Sequence, residues 1–148
     1  MSGLLDGVTV LDLASVGPAA RASRWLADYG ATVIKVGPVP AHAGVQITPA
    51  FHSYSAHRWL QRIMLDLKSD VGVNCFLRLA STADVILESF RPGVADRLGI
   101  DYATINAFNP GIVYCATTGF GQDGPRAQWA GHDLNYLAVS GFLSCTGR

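Results

Sequence analysis

Charged residues are scarce in this sequence. Only 15% of the 148 residues are Asp, Glu, Lys or Arg, whereas 49% are hydrophobic. This composition excludes a disordered tail and a charge-rich coiled coil, and the length suits one domain with a single core. Eleven basic residues balance eleven acidic ones without forming a basic stripe. We therefore expect no binding to nucleic acid or to an anionic membrane surface.

Cysteines and targeting signals are also sparse. The three cysteines, Cys75, Cys115 and Cys145, are widely spaced and form no C-x-x-C pair, which favours buried thiols in a reducing compartment. No apolar run approaches the length of a membrane span, and MSGLLDGVTV lacks the positive region and long apolar core of a signal peptide. We expect a cytoplasmic protein with no membrane association.

Three common motifs of catalytic or nucleotide-binding sites are missing. The first predicted strand–turn–helix reads LASVGPAAR instead of G-x-G-x-x-G, and the following VIKVG strand ends without an acidic residue, which excludes an NAD site. There is no G-x-x-x-x-G-K-[ST] phosphate loop and no G-x-S-x-G nucleophile elbow.

Strands and helices alternate along the chain. The runs that predict buried strands are GVTVLDLA, ATVIKVG, ADVILES and GIVYCATTG, with IMLDLKS as a shorter extended piece. Helical spacing separates most of them, whereas residues 38–61 read as a long irregular segment. The alternation predicts a Rossmann-like α/β fold, an open, doubly wound and mainly parallel sheet, in a single domain over residues 1–148.

Four cations lie in predicted loops or helix starts near strand ends: Arg58, Lys68, Arg91 and Arg97. Ligands of open α/β sheets bind outside the carboxyl ends of the strands, where such side chains can meet phosphates. The alternative is that each is a solvated surface charge. Arg91 is harder to assign to that alternative, because ESFRPG directly follows a buried strand.

The stretch AGHDLNYLAVSG places His132 and Asp133 between Gly131 and an apolar helical run. One interpretation is an ordinary helix cap, with Asp133 at the positive end of the helix dipole. The other is a general base, His132, beside free backbone N–H groups that can bind an oxyanion. Proton abstraction next to a thioester carbonyl needs both a base and such donors.

The order of the segments resembles the N-terminal part of the family III CoA-transferases, and within that family the racemase branch. The matching segments, which cover nearly the whole chain except residues 39–61, are LLDGVTVLDLASVGPAA, LADYGATVIKV, IMLDLKSDVG, ADVILESFRPGVADRLGIDY, NPGIVYCATTGFGQDGP and AGHDLNYLAVSGFLSCTGR. Transferases of the family typically carry a tyrosine before the Asp of the last motif. The racemases carry G-H-D-x-N-Y, as this chain does from Gly131 to Tyr136.

The resemblance implies epimerisation at C2 of 2-methyl-branched acyl-CoA thioesters through an enolate. His132 would be one of two acid–base groups, and the backbone at Asp133 would help to hold the enolate oxygen. No metal or redox cofactor is implied, since CoA belongs to the substrate. The implied CoA-contacting residues are Arg58, Leu65, Asp66, Leu67, Lys68, Ser89, Phe90, Arg91, Arg97, Gly131, Leu134, Asn135 and Tyr136.

Three departures from the family pattern bear on activity. Gly37 and Pro38 stand where the family usually has an acidic residue followed by Pro or Arg-Pro, and His57–Leu60 replaces a more basic stretch. The family's second acid–base group, an aspartate, and its second domain lie beyond the position of Arg148. We therefore expect a CoA-binding domain that is inactive alone and that forms a homodimer or pairs with a separate C-terminal chain. CoA transfer between carboxylic acids and a non-catalytic CoA- or partner-binding module are the alternatives.

Overall fold

The computed structural model describes residues 3–14, 17–39 and 59–147. Strands and helices alternate through most of this part of the chain, as the hydrophobic pattern predicts. The elements are β1 (Thr9–Asp12), α1 (Gly17–Asp28), β2 (Thr32–Gly37), β3 (Gln61–Met64), α2 (Asp70–Ala80), β4 (Val85–Glu88), α3 (Val94–Leu98), α4 (Tyr102–Asn106), β5 (Val113–Ala116), α5 (Asp133–Val139) and α6 (Phe142–Cys145).

The five strands of the described residues form one sheet in the order β3-β2-β1-β4-β5. All four neighbouring pairs are parallel. The strand order reverses between β1 and β4, which is where open α/β sheets open a crevice for a ligand. The predicted Rossmann-like parallel fold is confirmed.

Apolar side chains fill both faces of the sheet. One face carries the larger buried cluster, which includes Leu11 and Ile86 from the strands and Phe76 from α2. The opposite face carries a smaller cluster built on Val10, Val33 and Leu87, against which Leu26 of α1 packs. The central strands β1, β2 and β4 are covered on both faces, which explains why their sequences are mainly apolar and show no polar–apolar alternation.

A buried ion pair joins β1 and β2. The Nζ atom of Lys35 lies 2.9 Å from Oδ2 of Asp12, and the Asp12 side chain has no exposed surface. Its other oxygen, Oδ1, accepts a hydrogen bond of 2.7 Å from the backbone N–H of Ala14. Both carboxylate oxygens of Asp12 are therefore satisfied inside the fold, as a buried charge requires.

Two details of the secondary structure differ from the sequence prediction. Strand β3 ends at Met64, before the LDLK part of IMLDLKS, and that part forms a turn. Pro92 does not begin the next helix, because Gly93 adopts φ of 82° and α3 starts only at Val94. No helix in the three described ranges is long and apolar enough to cross a membrane.

The prediction of three buried thiols was wrong. Cys75 is half-buried, but Cys115 and Cys145 are exposed. Cys115 lies on β5, which has a strand neighbour on one side only among the described residues. It shares a face of that strand with Val113, which is 60% exposed, because alternate residues point to the same side.

Candidate functional site

Most of the residues predicted to contact a ligand lie beyond the carboxyl ends of strands. Leu65–Lys68 directly follows β3, and Ser89–Arg91 directly follows β4. Gly131–Tyr136 is reached through the loop after β5. Since all the strands run parallel, these three stretches emerge at the same edge of the sheet, where α/β folds bind ligands. Arg58 lies outside the described residues.

The turn after β3 is locked by Asp66. Its Oδ1 accepts the N–H of Lys68 at 3.0 Å, and its backbone carbonyl accepts the hydroxyl of Ser69 at 2.9 Å. Gly72, in the first turn of α2, is required here because a Cβ would overlap the Asp66 carbonyl oxygen. The turn leaves Lys68 exposed, so its ammonium group is free to meet an anion.

The start of the loop after β4 is held by a hydrogen bond and by apolar packing. Oε2 of Glu88 accepts the N–H of Phe90 at 2.6 Å, and the Phe90 ring packs against the larger buried cluster. Arg91 follows with an exposed side chain. Arg97 lies in the last turn of α3, where its Nη1 is 3.4 Å from the position that a Cβ on Gly93 would occupy. Two predicted cations, Arg91 and Arg97, thus border the same loop.

A cavity of about 270 Å³ opens beside this loop, at the carboxyl ends of β4 and β5. The sequence interpretation found only Arg91 among its lining residues. Glu88, Tyr114 and Gln122 also line it and were missed. The signal for Glu88 was an acidic residue at the end of the apolar run ADVIL, whereas nothing in the sequence locates Gln122 opposite β4.

Burial sets the electrostatics of the cavity. Glu88 is only 4% exposed, and this burial raises the pKa of its carboxyl. The hydrogen bond from Phe90 opposes the rise, and the charge of Asp96 adds to it. Burial likewise raises the pKa of the Tyr114 phenol well above its usual range, and its hydroxyl donates to the Ile100 carbonyl at 3.0 Å.

His132 is the N-cap residue of α5. Its backbone is extended, with φ of −123°, and its side chain is exposed. The backbone N–H of His132 donates to Oδ1 of Asn135 at 2.9 Å, and the N–H of Asn135 donates back to the His132 carbonyl at 2.9 Å. Asn135 therefore stabilises the start of this helix, a contact that the cap interpretation, which considered only Asp133, did not identify.

An aromatic cluster supports the same helix start. The hydroxyl of Tyr136 donates to the Gly131 carbonyl at 2.9 Å, and its ring lies edge-on to Phe120, with 5.2 Å between the ring centroids. Phe120 also contacts Trp129, at 5.8 Å between the ring centroids. A Cβ on Gly131 would lie 2.8 Å from the Tyr136 ring, so glycine is needed there.

One hydrogen bond joins the chain segments next to two of the predicted stretches, Ser89–Arg91 and Gly131–Tyr136. Nε2 of Gln128, in the loop that leads to His132, donates to the Pro92 carbonyl at 3.3 Å. This links the loop that follows Arg91 to the aromatic cluster. The turn at Lys68 follows β3, three strand positions from β4, which corresponds to roughly 14 Å at the usual strand spacing. Only an extended ligand can contact both cationic groups.

Among the described residues, no group of three or more His, Cys, Asp and Glu side chains is placed to hold a metal ion. The groups that the structure places at this edge of the sheet include an exposed imidazole, backbone N–H donors, and guanidinium and ammonium groups. These groups suit an anionic ligand and a proton transfer.

Comparison with known proteins agrees with this description. The family model described as CoA-transferase family III matches residues 5–148. Succinate–glutarate CoA-transferase of Agrobacterium fabrum is 38% identical over 97% of this chain and 39% of its own length. Alpha-methylacyl-CoA racemase of Mus musculus is 39% identical over 98% of this chain and 36% of its own length.

A solved protein structure is also similar to this chain over its whole length. A CAIB/BAIF family protein from Brucella suis matches with a TM-score of 0.88 and 32% identity, over 100% of this chain and 42% of that chain. The fold and the matches define one class of protein, and the chain belongs to CoA-transferase family III. It spans about two-fifths of the length of these relatives.

Proposed function

We propose that this chain supplies the acyl-CoA-binding part of a racemase-type enzyme, in which His132 removes the α-proton of a 2-methylacyl-CoA. The observation that best supports this proposal is the position of His132, which is exposed at the N-cap of α5. Gln128, four residues earlier, hydrogen-bonds to Pro92 in the loop that bears Arg91. An imidazole is suited to this step, because its ordinary pKa lies near neutral pH.

The proposed step uses groups that the structure describes. His132 accepts the C2 proton, and the C–H electron pair moves into the thioester carbonyl to form an enolate. The backbone N–H groups of Asp133 and Leu134 have no acceptor among the described residues and are the proposed donors to the enolate oxygen. Exchange of the proton with solvent needs this one base, whereas inversion at C2 needs a second acid on the opposite face.

Binding of CoA rests on the cations at the carboxyl edge of the sheet. Arg91 and Arg97 border one loop, and Lys68 lies at the turn after β3. CoA carries its 3′-phosphate and its pyrophosphate on the same ribose, so the long Lys and Arg side chains are proposed to reach its nucleotide end from two places along the sheet edge. Leu65–Lys68 and Ser89–Arg91 are the proposed contact stretches at these two places.

CoA transfer between carboxylic acids is the second candidate. A CoA-transferase relative is nearly as similar to this chain as a racemase relative, at 38% against 39% identity. Transfer requires a carboxylate nucleophile, and His132 stands where the transferases of the family typically carry a tyrosine. That residue favours proton transfer as the first candidate.

The test is deuterium incorporation at C2 of a 2-methylacyl-CoA incubated with the purified chain in heavy water and followed by NMR. We expect exchange that falls about 10²- to 10⁴-fold in His132→Ala, the usual contribution of a general base. Ser140→Ala, at the far end of α5, is the matched control and should exchange at the wild-type rate.

The same sample distinguishes the two candidates. Formation of succinyl-CoA from added succinate, without deuterium exchange at C2 of the 2-methylacyl-CoA, would support the transferase. A folded chain that binds CoA but performs neither reaction would contradict both as activities of this chain alone, and would support the non-catalytic CoA-binding module instead.

A further inference from the structure

Three strand ends of the sheet form the same local turn. In each, a carboxylate accepts the backbone N–H of the residue two positions later. Asp12 accepts from Ala14 at 2.7 Å after β1, Asp66 from Lys68 at 3.0 Å after β3, and Glu88 from Phe90 at 2.6 Å after β4. Asp66 lies within one of the proposed CoA-contacting stretches, Leu65–Lys68. Glu88 directly precedes the other, Ser89–Arg91.

Glu88 differs from Asp12 in one respect. The charge of Asp12 is balanced by Lys35 at 2.9 Å, and both residues are buried. Glu88 is also buried, at 4% exposure, but forms no ion pair with any described residue. A buried carboxylate without a cation is costly, so the contacts that Glu88 makes have to offset that cost.

The contacts of Glu88 fix the course of the chain before Arg91. Its backbone carbonyl accepts both the N–H and the hydroxyl of Thr117, each at 2.9 Å, which attaches it to the end of β5. Its side chain then returns to the N–H of Phe90, whose ring is packed against the larger buried cluster. The three residues before Arg91 are thus held by β5, by the carboxylate and by the core.

Glu88 also lines the same cavity as Arg91. Arg91 itself is exposed and follows directly on the residue whose N–H the carboxylate binds. If the loop were free to move, binding of an anion by Arg91 would have to order the loop first, which lowers affinity. The Glu88 turn removes that requirement.

We propose that Glu88 is a positioning residue that holds the Ser89–Arg91 loop so that Arg91 is presented to the phosphates of CoA. This inference rests on the proposed function, in which the chain binds an acyl-CoA. Glu88 acts through Phe90 and Arg91 and makes no contact with CoA itself. Its side-chain acceptor atom matters more than its charge.

The test is the Kd of the full chain for CoA alone, measured by isothermal titration calorimetry. Glu88→Ala removes the acceptor and should weaken CoA binding about tenfold, a typical size for coupling within one network. Glu88→Gln keeps an oxygen that can accept the Phe90 N–H and should stay within about threefold of wild type. Should Glu88→Ala fail to fold, Glu88→Met keeps the side-chain volume without a strong acceptor and should show the same loss.

Asp84→Ala is the matched control. Asp84 also accepts a backbone N–H, from Thr9 at 2.8 Å, but at the amino end of β4 and away from the proposed contacts. It should lower thermal stability and leave the Kd for CoA unchanged. This separates positioning of Arg91 from a general loss of stability.

A double-mutant cycle with Arg91→Ala completes the test. In a positioned loop, Arg91→Ala should weaken CoA binding much less in the Glu88→Ala background than in wild type. Independent, additive losses, or a Glu88→Ala chain that binds CoA as wild type does, would overturn the positioning role while leaving the proposed function standing. A wild-type chain that does not bind CoA would overturn the proposed function and the positioning role with it.

Discussion

The sheet and the segment that carries His132 are stabilised in different ways. The strands β1, β2 and β4 bury most of their side chains, and Val10, Leu11 and Ile86 have no exposed surface. By contrast, no residue of α5 or α6 is buried, and Leu134 of α5 is 68% exposed. The candidate catalytic residue therefore lies at the start of a helix that is packed much less tightly than the sheet.

What holds that segment is a small set of specific contacts. Tyr136 donates to the Gly131 carbonyl, its ring meets Phe120, and Asn135 closes the helix cap. Such contacts define a local geometry without contributing much burial. The comparison teaches that the fold depends on the sheet, whereas the geometry around His132 depends on a few aromatic and glycine residues.

The largest expected effect tests the two regions directly. Phe76 of α2 is completely buried in the larger cluster, so Phe76→Ala should lower the free energy of unfolding by about 3–5 kcal/mol. Leu134→Ala should change it by less than about 0.5 kcal/mol, because an exposed side chain loses little on truncation. Urea unfolding followed by circular dichroism measures both. Equal losses for the two variants would mean that α5 is packed as firmly as α2.

An intermediate effect is expected at Gly119, where an added Cβ would overlap the ring and hydroxyl of Tyr136. Gly119→Ala should displace Tyr136 and cost about 1–3 kcal/mol of local stability, as overpacking does. The amide signals of His132 and Asn135 should shift in a ¹H–¹⁵N NMR spectrum, while those of the central strands should not.

Gly111→Ala is the control for that experiment, because the nearest atom to its added Cβ is 3.9 Å away. It should leave the His132 and Asn135 signals in place. Shifts spread evenly through the sheet in Gly119→Ala would show that the two regions are more strongly coupled than their contacts indicate.

The smallest effect is expected at the N-cap of α4, a helix that lies in the chain between β4 and β5. Asp101 caps α4 by accepting the N–H of Thr104 at 3.1 Å and its hydroxyl at 2.7 Å. Asp101→Ala should lower the free energy of unfolding by about 1 kcal/mol at neutral pH, the usual value for a cap. Thermal unfolding of the two chains measures this difference.

The effect at Asp101 should also depend on pH. The hydrogen bond from the Thr104 side chain is the main cause that lowers the pKa of Asp101 in the folded chain. A lowered pKa means that the carboxylate stabilises the fold above its unfolded pKa, and that this stabilisation is lost as pH falls through the folded pKa. The difference between wild type and Asp101→Ala should therefore shrink in acid. A difference that stays constant down to low pH would contradict the role of the ionised cap.

Much of the fold could be predicted from the sequence. The strands β1, β2, β4 and β5 correspond to mainly apolar runs bounded by glycine or by polar residues, a pattern typical of parallel strands, although β5 has no buried residue. Strand β3 lies at the edge of the described sheet. Only Ile63 of its residues is not fully exposed, so its sequence lacks the apolar run that marks the other strands. Its end at Met64 follows from the turn that Asp66 closes, a contact that hydrophobic pattern does not reveal.

The candidate site was predictable only in part. His132, Asn135 and Tyr136 fall within one short motif, so their proximity follows from the chain itself. The cavity beside Arg91 depends on which strands become neighbours and on a long loop that places Gln122 opposite β4. Loop courses of this kind are set by tertiary contacts, such as the bond from Gln128 to Pro92, and not by local sequence.

The buried Asp12–Lys35 pair constrains how this sequence can change. Replacing either residue alone would leave the other charge buried without a partner, at a cost of about 3–5 kcal/mol. Replacing both with apolar residues of similar size is often neutral or stabilising. The two positions, on adjacent strands and 23 residues apart in the chain, are therefore expected to be substituted together, and a library that varies one while fixing the other should recover almost only the parental residue.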